Sequence, residues 1–200
     1  MWWSKNINQV KHHKMKETHP LFNHDGHINT YSGIKFNLLN PTKEQISIFD
    51  ICKGLAHTPH FGGQTPEFFS VAQHCLLVCD LMPPRFKRKP NLMMAALLHD
   101  ASEAYYGDML KPLKILLPKF NELEQNAMKV IFSVWDLDLE LLKTVKPYDK
   151  EAQKIEYNTF FKRTNVLQYY SPKEAVSMFM NRYWDYYNAL NPELEEENPF

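Results

Sequence analysis

Residues 95–108 read "AALLHDASEAYYGD", a helix-forming run of mixed character. Alanines and leucines suit a helix covered on most sides, yet His99, Asp100 and Glu103 interrupt them. The pattern predicts one helix over about 91–105, ended by Gly107, with "DMLKPLK" turning away from it. On that helix His99 and Glu103 stand one turn apart with Asp100 beside them. Leu97, Leu98 and Ala101 take nearby directions, so the polar cluster borders the core. A buried carboxylate without a partner is costly, so a cation is required nearby. No lysine or arginine between Pro90 and Gly107 supplies one.

The segment "PEFFSVAQHCLLVCDLM" (66–82) predicts another apolar helix, stopped by Pro83-Pro84. It sets His74 among Val71, Cys75, Leu77 and Val78. One such histidine reads as a satisfied core residue, whereas two with an adjacent aspartate read as metal ligands. Imidazole nitrogens with carboxylate oxygens suit Mn²⁺, Fe²⁺, Co²⁺, Ni²⁺ or Zn²⁺ and leave positions for water. Cys75 and Cys79 read as small core residues turned away from His74, not as thiolate ligands. A fourth ligand belongs on a later helix, where "VKPYDKEAQKIEYN" offers Asp149, Glu151 and Glu156. Spacing does not choose among them, and each also suits an exposed helix start.

Outside these segments the signals are again helical. "PTKEQISIFDICKGLAH" has Thr42 as N-cap and an inward stripe of Ile46, Phe49, Cys52 and Leu55/Ala56. "PKFNELEQNAMKVIFSVWDL" turns Leu123, Ala127, Val130, Ile131 and Val134 inward. A long helix is expected from about Tyr148 to Gln168. A last one follows Ser171, with Pro172 in its first turn and Glu174 completing a capping box. "SGIKFNLLNP" suits a short β-piece or an extended lead-in, "TPHFGGQT" a loop, and "RFKRK" a solvated basic connector. The expected architecture is all-α and single-domain. Residues 1–30 form a polar arm holding five of the nine histidines, 31–170 the main helical body, and 171–200 a packed helix with an acidic tail.

The totals narrow the function. Two hundred residues bury a real core as one domain, and 23 basic residues balance 23 acidic ones. A dedicated nucleic-acid binder carries a basic excess, so none is expected, while a small anionic ligand needs only a local cluster. No membrane span, no secretory signal and an odd count of three cysteines point to a soluble protein of a reducing, cytoplasmic setting, or of host cytoplasm if phage-encoded.

Taken together, "FGGQTPEFFSVAQH", "ALLHDASEAYYGD" with "KPLK", and "YDKEAQKIE" resemble the HD-domain metal-dependent phosphohydrolases. The likeness spans roughly residues 31–165 and is nearest the 5′-deoxynucleotidase-like branch with its phage dATP triphosphohydrolase relatives. The resemblance implies a single HD-domain helical bundle with His74, His99, Asp100 and Asp149 as metal ligands, selecting Asp149 where spacing could not. It implies Glu103 and Asp108 as the acids handling the attacking water and the leaving group, and Lys111 and Lys114 near the phosphate. Where the family carries an Arg-aromatic pair before the first histidine, this chain has His60-Phe61, which become the candidate phosphate and sugar contacts. The implied reaction removes phosphate from a deoxynucleoside 5′-monophosphate. The alternatives are release of triphosphate from a deoxynucleoside triphosphate and a non-catalytic nucleotide sensor. A second ion such as Mg²⁺ arriving with the substrate, and a dimer or larger homo-oligomer, belong to the same expectation.

Overall fold

The computed structural model of the protein describes residues 26–164 and 166–194. A short antiparallel ribbon comes first, β1 (His27–Asn29) against β2 (Lys35–Asn37), with Ile28 opposite Phe36. Then come α1 (Ile48–His57), α2 (Val71–Leu81), α3 (Pro84–Lys87), α4 (Pro90–Leu97) and α5 (Glu103–Tyr106). The chain continues through α6 (Lys111–Leu116), α7 (Pro118–Val134), α8 (Leu141–Phe161) and α9 (Pro172–Leu190). The fold is all-α, as expected, with the ribbon as its one sheet among the described residues. None of the described helices is long and apolar enough to cross a membrane.

The centre of the bundle is α4. From Leu92 to Leu98 no residue is more than 4% exposed, and the helix is enclosed by α2, α8 and α9. A helix apolar all round is stable only when covered all round. The helix expected over 91–105 is nonetheless two pieces. Residues 98–102 form a tight turn in which Ala101 N donates to Leu98 O at 3.0 Å and Glu103 N to Asp100 O at 2.9 Å. Gly107 then ends α5 with φ at 78°, as its sequence position suggested. The α5 segment lies against α1 because Gly54 has no side chain: a Cβ there would sit 2.7 Å from both the Cβ and the carbonyl oxygen of Ala104.

Several boundaries differ from the sequence expectation. Thr42 heads only a 3₁₀ turn over Lys43–Gln45, after which the chain extends through Ile46 before α1 begins. That shift rotates the stripe, so Ile51 faces inward with Cys52, Leu55 and Ala56 while Phe49 is 58% exposed. Ser70 caps α2 in a capping box with Gln73, so residues 66–70 stay outside the helix. Ser171 and Glu174 build the expected box on α9. On α7, Met128 and Phe132 are buried where Val134 was expected. Helix α8 starts before Pro147 and ends at Phe161. An interior proline costs about 3 kcal/mol, which burial of Val145 in the preceding turn helps to offset. Residues 85–87 of the basic connector are helical, with Arg85 lying over the Phe86 ring. β1 falls inside the stretch assigned to the N-terminal arm, so residues 27–29 belong to the folded body; arm residues 1–25 and tail residues 195–200 lie outside the described residues.

Candidate metal centre

The end of α4 creates the first half of the site. Carbonyls in a last helical turn lack partners along the helix. The freed oxygen of Ala96 lies 2.9 Å from His99 Nδ1. A carbonyl only accepts, so His99 carries its proton on Nδ1 and presents an Nε2 lone pair. The broken turn then brings Asp100 Oδ2 to 3.1 Å from that Nε2.

The second half comes from α2 and α8. His74 is fully buried, with Nδ1 2.7 Å from Glu156 Oε1 on α8. An ionised carboxylate also only accepts, so His74 likewise presents the lone pair of Nε2. That atom lies 3.2 Å from His99 Nε2, 3.3 Å from Asp149 Oδ1 and 3.6 Å from Asp100 Oδ2. Asp149 Oδ1 stands 4.0 Å from His99 Nε2. Asp149 is held by Gln153, whose Nε2 donates to Oδ1 at 2.7 Å, and by Lys146 on Oδ2.

Two imidazole lone pairs facing each other repel unless a cation lies between them. Atoms bound about 2.0–2.2 Å from one ion stand about 3.0–3.5 Å apart, close to the spacings here. His74, His99 and Asp149 form one grouping able to hold a metal ion, and Asp100 closes on both histidines. Without an ion a proton answers the same demand. Burial opposes charging of His99, yet the Asp100 carboxylate raises the ring well above its usual range. Burial likewise opposes charging of His74, and Glu156 raises it. Against their own burial, His99 lowers Asp100, and hydrogen bonding by His74 brings Asp149 down to about 2.

Beside these groups opens a cavity of about 400 Å³, lined in part by His99, Asp100, Glu103, Lys114, Glu124 and Met128. Glu103 is nearly buried, and its Oε2 has no hydrogen-bond partner among the described residues. Burial first, then repulsion from Asp100 and Asp108, raises its carboxyl well above the usual range. The cation that residues 90–107 lack arrives on α6: Lys114 Nζ lies 3.3 Å from Glu103 Oε1 and 3.0 Å from Glu124 Oε1.

His60 stands at the far side of His74, the rings 4.6 Å apart. Its Nδ1 meets Asp108 Oδ2 at 3.0 Å and its Nε2 meets Glu156 Oε2 at 3.1 Å. Burial works against a charged ring there, but the two carboxylates outweigh it and lift His60 to about 10. His60 is therefore an imidazolium held between two acids, and Glu156, brought down to about 2 by His74 and His60 against its burial, joins it to His74. Phe61, at φ 54°, packs edge-on against Phe160 and Phe161 and anchors the loop to α8. It does not line the cavity, and neither do His60, Asp108 or the exposed Lys111.

The structure thus gathers His74, His99, Asp100 and Asp149, with Glu103, Lys114, Asp108 and His60 around them. Glu156 turns toward the site as well, whereas Glu151 faces solvent. Glu156 follows Asp149 by two helical turns, a same-face spacing that could have revealed it. Glu124 sits in the buried stripe of Ala127, Met128 and Ile131, and an acid in that register was the signal missed. Cys75 corrects the expectation that it turns away, since its sulfur groups with His99 and Asp100. Burial pushes its thiol up to about 11.

No protein-family model matches the chain. Over 122 residues it is 37% identical to the uncharacterized protein YfdR of Escherichia coli (strain K12), covering 61% of this chain and 65% of the relative. An uncharacterized protein of Rhodobacter capsulatus is 35% identical over 131 residues, covering 62% of this chain and 65% of that protein. The match thus spans just under two thirds of the length of either relative.

Proposed function

We propose that the protein is an HD-domain phosphohydrolase that uses a divalent metal ion to remove phosphate from a deoxynucleoside 5′-monophosphate. One observation carries the reading: His74 and His99 both hold their protons on Nδ1, aiming two Nε2 lone pairs at one point beside two aspartates. The donor set, two nitrogens and two carboxylates, suits Mn²⁺, Fe²⁺, Co²⁺, Ni²⁺ or Zn²⁺. When bound, such an ion acidifies a water and polarises a phosphoryl oxygen, and a second ion such as Mg²⁺ accompanies the substrate phosphate.

The chain's own residues supply the rest. Glu103, with a raised carboxyl and an unbonded Oε2 beside the cavity, exchanges a proton with the attacking water. Asp108, fixed by His60, stands ready for the leaving oxygen. Lys114, paired with Glu103 and Glu124 on the cavity wall, supplies the positive charge that meets the phosphate. Leu139, Leu142 and Met128 offer the nucleoside an apolar wall. Two lysines line the cavity against three acids, a balance that favours a monophosphate over the greater charge of a triphosphate.

The test is a metal-supplemented panel of mono-, di- and triphosphates of every base, with products resolved by chromatography. Free phosphate from deoxynucleoside monophosphates is the expected outcome. Intact triphosphate from a deoxynucleoside triphosphate would shift the assignment to triphosphohydrolase, and tight binding without turnover to a nucleotide sensor. Sizing of the metal-loaded chain by light scattering tests the expected homo-oligomer.

A further inference from the structure

We propose that Cys75, His99 and Asp100 form a second coordination set, selective for a soft divalent ion such as cadmium, that overlaps the four-residue centre. Cys75 follows His74 on α2 and is fully buried. Its Sγ, a ring nitrogen of His99 and a carboxylate oxygen of Asp100 nevertheless lie within 4.8 Å of one another. Ligands about 2.0 and 2.3 Å from one ion stand about 3.5 Å apart, so the set closes on an ion with a contraction of about an ångström. Cys52 and Cys79 are as deeply buried and belong to no such grouping among the described residues.

Chemistry separates the two sets. The imidazole of His74 and the carboxylate of Asp149 complete one set, and the thiol of Cys75 completes the other. Nitrogen and oxygen donors serve manganese and iron, while thiolate favours softer ions. Seating a soft ion on Cys75 forms a metal–sulfur bond and sends the thiol proton to solvent, with no change of oxidation state. His99 and Asp100 serve both sets, so an ion bound to Cys75 takes two ligands from the centre between His74 and Asp149. Occupancy of the two is mutually exclusive. Entry is past Asp100, whose side chain is 27% exposed at the cavity.

The experiment is a cadmium titration of the full-length chain stripped of metal, read by ultraviolet thiolate-to-metal charge-transfer absorption. The wild type and Cys79→Ser should each gain the signal of a single thiolate, and Cys75→Ser none. Cadmium affinity should fall on the order of tenfold or more in Cys75→Ser, with manganese affinity unchanged. Cadmium bound to the wild type without the band, or a band that persists in Cys75→Ser, overturns the proposal. Should the serine variant fail to fold, cadmium-113 NMR of the wild type decides: a sulfur-ligated shift supports the second set, and an all-nitrogen-and-oxygen shift refutes it. Manganese binding without any cadmium thiolate would refute the second set alone and leave the four-residue centre standing.

Discussion

Glu156 Oε1 lies 2.7 Å from His74 Nδ1, and neither side chain is exposed to solvent. The carboxylate's other oxygen takes His60, so one glutamate fixes the tautomer of a candidate ligand and the pose of a buried imidazolium. Glutamine keeps the shape but has one accepting oxygen in place of two. We expect Glu156→Gln to weaken metal binding about 10- to 100-fold while circular dichroism stays native. Competition against a chelating dye measures it, and unchanged affinity would count against this role.

The same contacts set a pH profile for the metal-free chain. Glu156 drops from 4.5 to about 2 on folding, so its contribution is complete above 4.5 and fades as pH falls through 2. His60 rises from 6.5 to about 10, so its contribution is complete below 6.5 and fades as pH climbs through 10. Urea midpoints should therefore be highest between those limits and decline on both sides. His60→Gln should lessen the alkaline decline, to which the raised His74 and His99 also contribute, and an unaltered limb there would remove His60 as one of its sources.

Glu103→Gln keeps the side chain's volume and removes the proton exchange proposed for it. We expect metal content to stay the same and turnover to drop about 10²- to 10⁴-fold. Elemental analysis beside single-turnover kinetics separates this from loss of the ion. A variant that sheds metal would make Glu103 part of the centre itself.

Gly54→Ala tests how α5 is placed. The new methyl meets Ala104 at 2.7 Å, so α5 must retreat and carry Glu103 with it. Overpacking of this kind costs about 1–3 kcal/mol. A lower melting temperature together with lower turnover is the expected pair of results; a stability loss alone would mean that Glu103 tolerates the shift.

Metal should stabilise the fold only where it is held. Adding manganese at a hundred times its dissociation constant should raise stability by about 2.7 kcal/mol. Asp149→Asn and His99→Ala should abolish that increment in thermal melts. An equal rise in the variants would locate the ion elsewhere.

Much of this arrangement was legible in the sequence because an acid or imidazole in an apolar register is conspicuous. His74, His99 and Asp100 stand out in that way, and the structure brings them together with Asp149. What the sequence hid was tertiary. Nothing local announces that the helix stops at Leu97, since neither glycine nor proline marks the place. Lys114 reaches Glu103 across a connection whose course no periodicity describes. Glu156 was visible as an acid on the later helix, but choosing it required knowing that α8 faces α2 over two full turns. Phe61, a loop aromatic beside the site, packs edge-on against Phe160 and Phe161 of α8, a contact that no local pattern announces.

The two histidines differ in what keeps them in place. His74 depends on the side chain of Glu156, which a single base change could remove. His99 leans on the carbonyl of Ala96, an atom that every residue at position 96 possesses. In a saturating mutational scan, the support of His74 should concentrate at one codon. The support of His99 should be spread over all the substitutions that move the end of α4, each mild by itself. Half of the centre is thus written in a side chain and half in a backbone stop, and drift would erode the first abruptly and the second by degrees.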